Sequence, residues 1–341
     1  MTVVTRVGTT ALLLGLGAGA VGAQNQPAGY TLGNPLGLPI VPTPGQTFAP
    51  MSSNVKVYGA IFSAESCSYD PVRNLIVVPN RNVGQAVQDN NAWISFINHD
   101  GSVHTARWIG VNRNELVLNE PLGSDIVGGV LYLADRDGGL GTIVVAGGSA
   151  GVQPGPNTPQ VAVVRKFNME TGRPAGEVRV ETSTGFNDLE VADDGTIYAT
   201  VSGAQGHVYR ITAAGAASVF IPTGAPLNSP NGIAIDPAGN IVVANSGDAA
   251  ILTYDRSGRL LTTEQAAQPG TDGLVIMPDG TKYASSVQNG GVSMIRPGQR
   301  AVLIAENIPS AASMCYDSGA NQLVIPLNAN NALAFVPLTG R

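Results

Sequence analysis

Beyond its first two dozen residues, this 341-residue chain has no long apolar run, which excludes a helical membrane span from the remainder. Charge is scarce too. Asp, Glu, Lys and Arg make up only 12% of residues, the formal net charge is −6, and no basic cluster occurs. Nucleic acid and anionic membrane surfaces are therefore poor partners. Amphipathic segments of helical length are missing. Only three histidines occur (His99, His104 and His207), each in a turn or outer-strand context that reads as surface or packing. Glycine (43) and proline (23), by contrast, are abundant and separate many short Val/Ile-rich runs, a pattern of strands and turns that predicts an all-β fold.

The one apolar stretch lies at the start. Arg6, the apolar Ala11–Ala20 segment and the small residues Val21-Gly22-Ala23 predict a secretory signal peptide over residues 1–23. A membrane anchor would need about 20 apolar residues, and this run is shorter. The expected mature protein is thus exported, periplasmic or secreted. Residues 24–50 carry Pro27, Pro35, Pro39, Pro42, Pro44 and Pro50 and read as an extended strap without a core. The two cysteines, Cys67 and Cys315, occupy equivalent regions of the first and last repeats, and an exported protein suits a ring-closing disulfide. Strand alternation, counted from Asp70 and Asp317, places the two thiols on opposite sides and argues against that pairing.

Residues 51–341 repeat one pattern. Second-strand signals recur at Leu75-Ile-Val-Val, Val130-Leu-Tyr-Leu-Ala, Thr196-Ile-Tyr-Ala-Thr, Asn240-Ile-Val-Val-Ala, Thr281-Lys-Tyr-Ala-Ser and Gln322-Leu-Val-Ile. Third strands follow, and Asp-Gly or Ser-Gly turns lead to fourth strands. Four antiparallel strands repeated six times predict a six-bladed β-propeller. An extra glycine-rich segment between Gly138 and Gln160 falls between the second and third strands of the second unit. It is expected on the face where first strands begin, as a surface loop or a lid.

Aligned on the turn after each first strand, the units place Glu65, Leu122, Asn187, Asn231, Asp272 and Ala312 at one register. Any single Asn or Asp there could be a turn former. Four oxygen-bearing side chains at one register of a closed ring point instead to Glu65, Asn187, Asn231 and Asp272 converging on the axis around a metal. Two carboxylates and two amide carbonyls form a hard oxygen set that favours Ca²⁺ and admits Mg²⁺, Mn²⁺ or Zn²⁺.

Segments Ala64-Glu-Ser-Cys-Ser-Tyr-Asp-Pro, Phe186-Asn-Asp-Leu, Ser229-Pro-Asn-Gly-Ile-Ala-Ile-Asp-Pro-Ala-Gly-Asn and Thr271-Asp-Gly-Leu resemble the senescence marker protein/gluconolactonase (SMP-30/LRE-like) superfamily, nearest its exported bacterial branch and more distantly the paraoxonases and diisopropyl fluorophosphatase. The resemblance implies one divalent metal in the central tunnel. It makes Glu65, Asn231 and Asp272 core ligands, Asn187 a metal- or substrate-contacting residue, and Asp272 the general base or nucleophile. Two positions depart from the pattern. Gly185 stands where sugar lactonases often carry Arg, which argues against recognition of a sugar's hydroxyls by that route, and Leu122 stands where exported relatives often carry Lys. The apolar Leu122 and the glycine-rich insertion suggest a hydrophobic rather than a polyol substrate. The paraoxonase type of His dyad is not evident. The expected function is metal-dependent hydrolysis of lactones or related esters, with the cation as Lewis acid. The alternative is a non-catalytic exported propeller that binds or scaffolds an envelope protein, since one fold serves both roles.

Overall fold

The computed structural model describes residues 31–32, 52, 55–58, 61–81, 90, 92–110, 116–139, 143–146, 149–152 and 158–338. The signal peptide expected at 1–23, and all of the 24–50 strap except Thr31–Leu32, lie outside these residues.

Six antiparallel sheets follow one another along the chain. Blade one holds Ser68–Asp70, Leu75–Asn80, Trp93–Ile97 and Val103–Gly110. Blade two holds Ser124–Val127, Val130–Gly139, Thr158–Asn168 and Pro174–Val180. Blade three holds Leu189–Val191, Ile197–Val201, His207–Ile211 and Ala217–Ile221. Blade four runs from Pro230–Ile235 through Ile241–Asn245 and Ala250–Tyr254 to Leu260–Gln265. Blade five holds Thr271–Ile276, Lys282–Ser286, Val292–Ile295 and Val302–Ala305. In blade six, Cys315–Asp317, Gln322–Leu327 and Ala332–Pro337 are completed by Lys56–Tyr58 from the other end of the chain, with Thr31–Leu32 parallel outside it. Each first strand contacts the first strands of both neighbouring blades, so the ring is closed and the fold is a six-bladed β-propeller. Among the described residues no helix is long and apolar enough to cross a membrane.

The core is distributed as six apolar clusters, one at each blade interface. Middle strands are therefore covered on both faces. Leu75–Asn80, Ile241–Asn245 and Gln322–Leu327 are buried throughout. That is why their sequences read as continuous apolar runs and not as alternation. Outer strands such as Leu260–Gln265 are mostly exposed. The glycine-rich insertion does lie between the second and third strands of blade two. It carries its own antiparallel hairpin, Ile143–Ala146 with Ser149–Val152, where a loop was expected.

The expectation that the two thiols face apart is wrong. Cys67 and Cys315 form a disulfide with their Cα atoms 5.4 Å apart. Alternation orders side chains within one strand, but Cys67 precedes its strand, and the two cysteines meet across the interface between blades one and six. The same seam is tied by His99 Nδ1 to Asp317 Oδ2 at 2.8 Å, and by Gln322 Nε2, which donates to the His99 carbonyl and to Asp317, each at 2.8 Å. A cross-link over a sequence separation of 248 residues restricts the unfolded chain strongly. Reduction, or the Cys67→Ser/Cys315→Ser pair, should cost about 2–5 kcal/mol. The thermal midpoint should then fall by roughly 3–8 °C in a domain of this size. An unchanged midpoint after reduction would show that the bond contributes nothing to ring closure.

Candidate metal and hydrolase site

Each first strand is entered through a one-residue irregularity at the shared register. In blade four Pro230 pairs with Asn245 but Ile233 with Val243, and in blade five Thr271 pairs with Ser286 but Leu274 with Ala284. In blade three the Asn187 amide donates to the Thr200 carbonyl (2.8 Å), while the Asp188 carbonyl accepts from Thr200 N (3.0 Å). Leu122 and Gly123 oppose Ala134 in the same way. Blades one and six also set four residues against three, between the Ala64–Asn80 bridge and the Ser68–Val77 pair, and between Ala311–Leu327 and Cys315–Val324. A bulge takes its residue out of the strand's alternation and re-aims the side chain. Here it frees the register residue from the blade faces.

The register carbonyls are held by neighbouring strands. Ser66 Oγ donates to Leu122 O at 2.5 Å, Gly123 N to Asn187 O at 2.8 Å, Thr200 Oγ1 to Asn231 O at 2.6 Å, and Ser285 Oγ to Ala312 O at 2.7 Å. In blades four and five this close approach dictates the glycine after the candidate ligand. A Cβ on Gly232 would stand 2.1 Å from Asp272 O, and one on Gly273 would stand 2.4 Å from Met314 N. Asn-Gly and Asp-Gly, which commonly mark hairpin turns, here mark a bulge packed against the next blade.

Glu65, Asn231 and Asp272 are buried and Asn187 is half-buried. Each presents one buried oxygen with no hydrogen-bond partner: Glu65 Oε2, Asn187 Oδ1, Asn231 Oδ1 and Asp272 Oδ1. An unpartnered buried oxygen is costly, and here four of them stand one on each of four blades at one register. The donor set of two carboxylates and two amide carbonyls fits a hard divalent cation. Among the described residues no group of three His, Cys, Asp or Glu side chains is placed to hold a metal.

The electrostatics agree with the geometry. Burial pushes the Glu65 carboxyl up to about 7, with Arg81 pulling it partly back. Asp272 is held well above the usual carboxylate range by burial and then by the charges of Glu65 and Asp188; Arg81 and a hydrogen bond from the Asn231 side chain oppose that rise. Asp188 is raised for the same reasons, burial first and then Glu65, against hydrogen bonds from the amides of Leu189 (2.9 Å) and Ile233 (3.3 Å). Glu65, Asp188, Asp272 and Arg81 thus share one electrostatic neighbourhood. Leu122 instead packs with Ala134 and Phe186 in the apolar interface of blades two and three. Ala312 is buried and places no polar side-chain atom at the ring.

Sequence reasoning did not single out Asp188. It occupies the bulge position filled in the other blades by Ser66, Gly123, Gly232, Gly273 and Ser313. A carboxylate at that small-residue position was a visible signal. Deeper along the tunnel, Asp125 is raised to about 6 by burial, and Glu190 is raised well above the usual carboxylate range by burial and then by the charges of Asp125 and Asp188. Both line a cavity of about 440 Å³ formed by the first strands of all six blades.

Comparison with known proteins agrees with this architecture. Residues 157–325 match the SMP-30/gluconolactonase/LRE-like region, so the superfamily resemblance read from the ligand segments holds across blades three to five and the adjoining parts of blades two and six. That stretch includes Asn187, Asn231 and Asp272, while Glu65 lies before it. A crystal structure of a protein assigned as a gluconolactonase superposes with a TM-score of 0.54 at 15% identity, covering 83% of this chain and 92% of that one. At that identity the likeness speaks for the fold alone. A Xanthomonas campestris gluconolactonase, described as important in glucose secondary metabolic pathways, covers 83% of this chain and 89% of its own at 17% identity. Its TM-score of 0.49 carries no argument. No curated protein matches the chain.

Proposed function

We propose that this protein is a metal-dependent hydrolase of lactones or related esters. The observation that carries the reading is the set of four unpartnered buried oxygens on Glu65, Asn187, Asn231 and Asp272, two of them on carboxylates whose ionised form burial disfavours. The matched gluconolactonase-type region supports the choice of lactones. A divalent cation bound there, Ca²⁺ first among the candidates, would supply Lewis-acid polarisation of the substrate carbonyl.

The chain's own residues supply the rest. Asp272, oriented by the Asn231 amide, acts as general base toward water or as nucleophile. Asn187 orients the substrate from the adjacent blade. Arg81 lowers the cost of ionising both Glu65 and Asp272. The Cys67–Cys315 disulfide suits an oxidising compartment and supports export to the periplasm or beyond, where an envelope partner is an added prospect.

The test is a panel of lactones, aryl esters and phosphotriesters, assayed with Ca²⁺, Zn²⁺ or Mn²⁺ and again after chelation. Turnover that chelator abolishes and cation restores is expected, together with a lower thermal midpoint after chelation, because a ligand of the folded ring stabilises it by mass action. Absence of hydrolysis across the panel would replace this reading with a binding propeller.

A further inference from the structure

The chain position two residues before the register rims the tunnel. In blades one, four, five and six it is Ser63, Ser229, Gly270 and Ser310, all with positive φ (46°, 55°, 74° and 47°). In blades two and three it is Glu120 and Gly185, and there the rim is occupied by two arginines. Arg81 Nε donates to the Ser63 carbonyl at 2.8 Å, and its Nη1 lies 4.0 Å from Glu120 Oε1. Arg136 Nε lies 3.1 Å from Glu120 Oε2. Its guanidinium then extends over Gly185, where a Cβ would stand 3.1 Å from Arg136 Cζ. Arg81, Glu120 and Arg136 therefore form one arc that links Ser63, Glu120 and Gly185, the positions two residues before the register in blades one to three.

The missing side chain at Gly185 is what makes room for Arg136. The sequence suggested a rim without a guanidinium at this point; the fold supplies one from the second strand of the preceding blade. Charge and exposure divide the arc. Arg81 has a side chain only 7% exposed and is committed to Ser63, Glu120 and the buried acids. Arg136 remains 21% exposed. One glutamate between two arginines leaves a net positive charge on the arc. With a divalent cation set against Glu65, Asp188 and Asp272, and Arg81 turned to Glu120 and these buried acids, Arg136 is the cation of the arc left partly exposed to whatever enters.

We infer that Arg136 is a specificity-determining residue that binds a carboxylate on the substrate, so that the preferred lactones carry an acidic substituent on the ring. A guanidinium docks carboxylate through paired hydrogen bonds in a way that an ammonium or an amide does not reproduce. This inference rests on the lactonase reading for its substrate class.

The test compares γ-butyrolactone with the same ring bearing a carboxylate on the carbon beside the ring oxygen, in wild type, Arg136→Gln and Arg136→Lys. The ratio of kcat/KM, acidic over neutral lactone, is expected to fall about tenfold to hundredfold in Arg136→Gln through KM, with partial recovery in Arg136→Lys. A ratio within threefold of wild type in a folded Arg136→Gln variant overturns the inference. Calorimetry on Ca²⁺-loaded protein gives a second readout that needs no turnover. The open-chain 2-hydroxyglutarate should bind wild type at least tenfold more tightly than 4-hydroxybutyrate, and Arg136→Gln should erase the difference. Equal affinities in wild type would also overturn it. A dicarboxylate preference without hydrolysis of any lactone would remove the hydrolase reading while keeping the anion-binding arc.

Discussion

Asp272→Asn is expected to lower kcat on a hydrolysed lactone by about 10²–10⁴-fold, the range that a positioned acid–base group contributes, with a much smaller change in KM. The substitution preserves the side chain's volume and one carbonyl oxygen at a site that is buried and shaped. It removes the group able to accept a proton or attack a carbonyl. It also removes a charge that burial, Glu65 and Asp188 already make costly, so the metal-free variant should fold at least as stably as the parent. Steady-state kinetics with cation binding measured alongside would separate loss of chemistry from loss of metal. A kcat within threefold of wild type would take Asp272 out of the chemical step. Asn187→Ala should be milder, because its expected role is orientation.

The second large effect is on stability. Chelator-treated protein should become less stable as pH rises from about 4.5 to about 7. Glu65 is held up to about 7 in the folded protein against an ordinary value of 4.5. Between these values the folded state retains a proton that the unfolded chain has released, so raising the pH favours unfolding. Full ionisation of this one group amounts to roughly 3 kcal/mol. Asp188 and Asp272, raised in the same direction by burial, should add to the loss. Excess Ca²⁺ should reverse the trend, because a cation favours the ionised carboxylates; the difference between loaded and stripped protein should therefore widen from pH 5 to pH 8. Thermal midpoints across that range, with and without chelator, check it. A chelator effect of equal size at both ends would mean that these carboxylates do not share a cation.

The sequence by itself determined a good deal of this protein. The short apolar runs around Leu75, Ile241 and Leu323 fall in second strands, because a strand covered on both faces must be apolar throughout. Repetition did the rest of that work: six equivalent runs specify six blades, and equivalent residues such as Asn231 and Asp272 must occupy equivalent places in a ring. What only the tertiary structure decided involves contacts between segments remote in the chain. Blade six takes its fourth strand from Lys56–Tyr58, which carries no repeat signal. Cys67 and Cys315 meet across a blade interface, where alternation within either strand says nothing. The guanidinium over Gly185 belongs to Arg136, 49 positions earlier by chain numbering, because the neighbouring blade's second strand ends beside that rim. Local pattern specifies each blade. Which side chains share the rim depends on how the blades turn against one another around the axis.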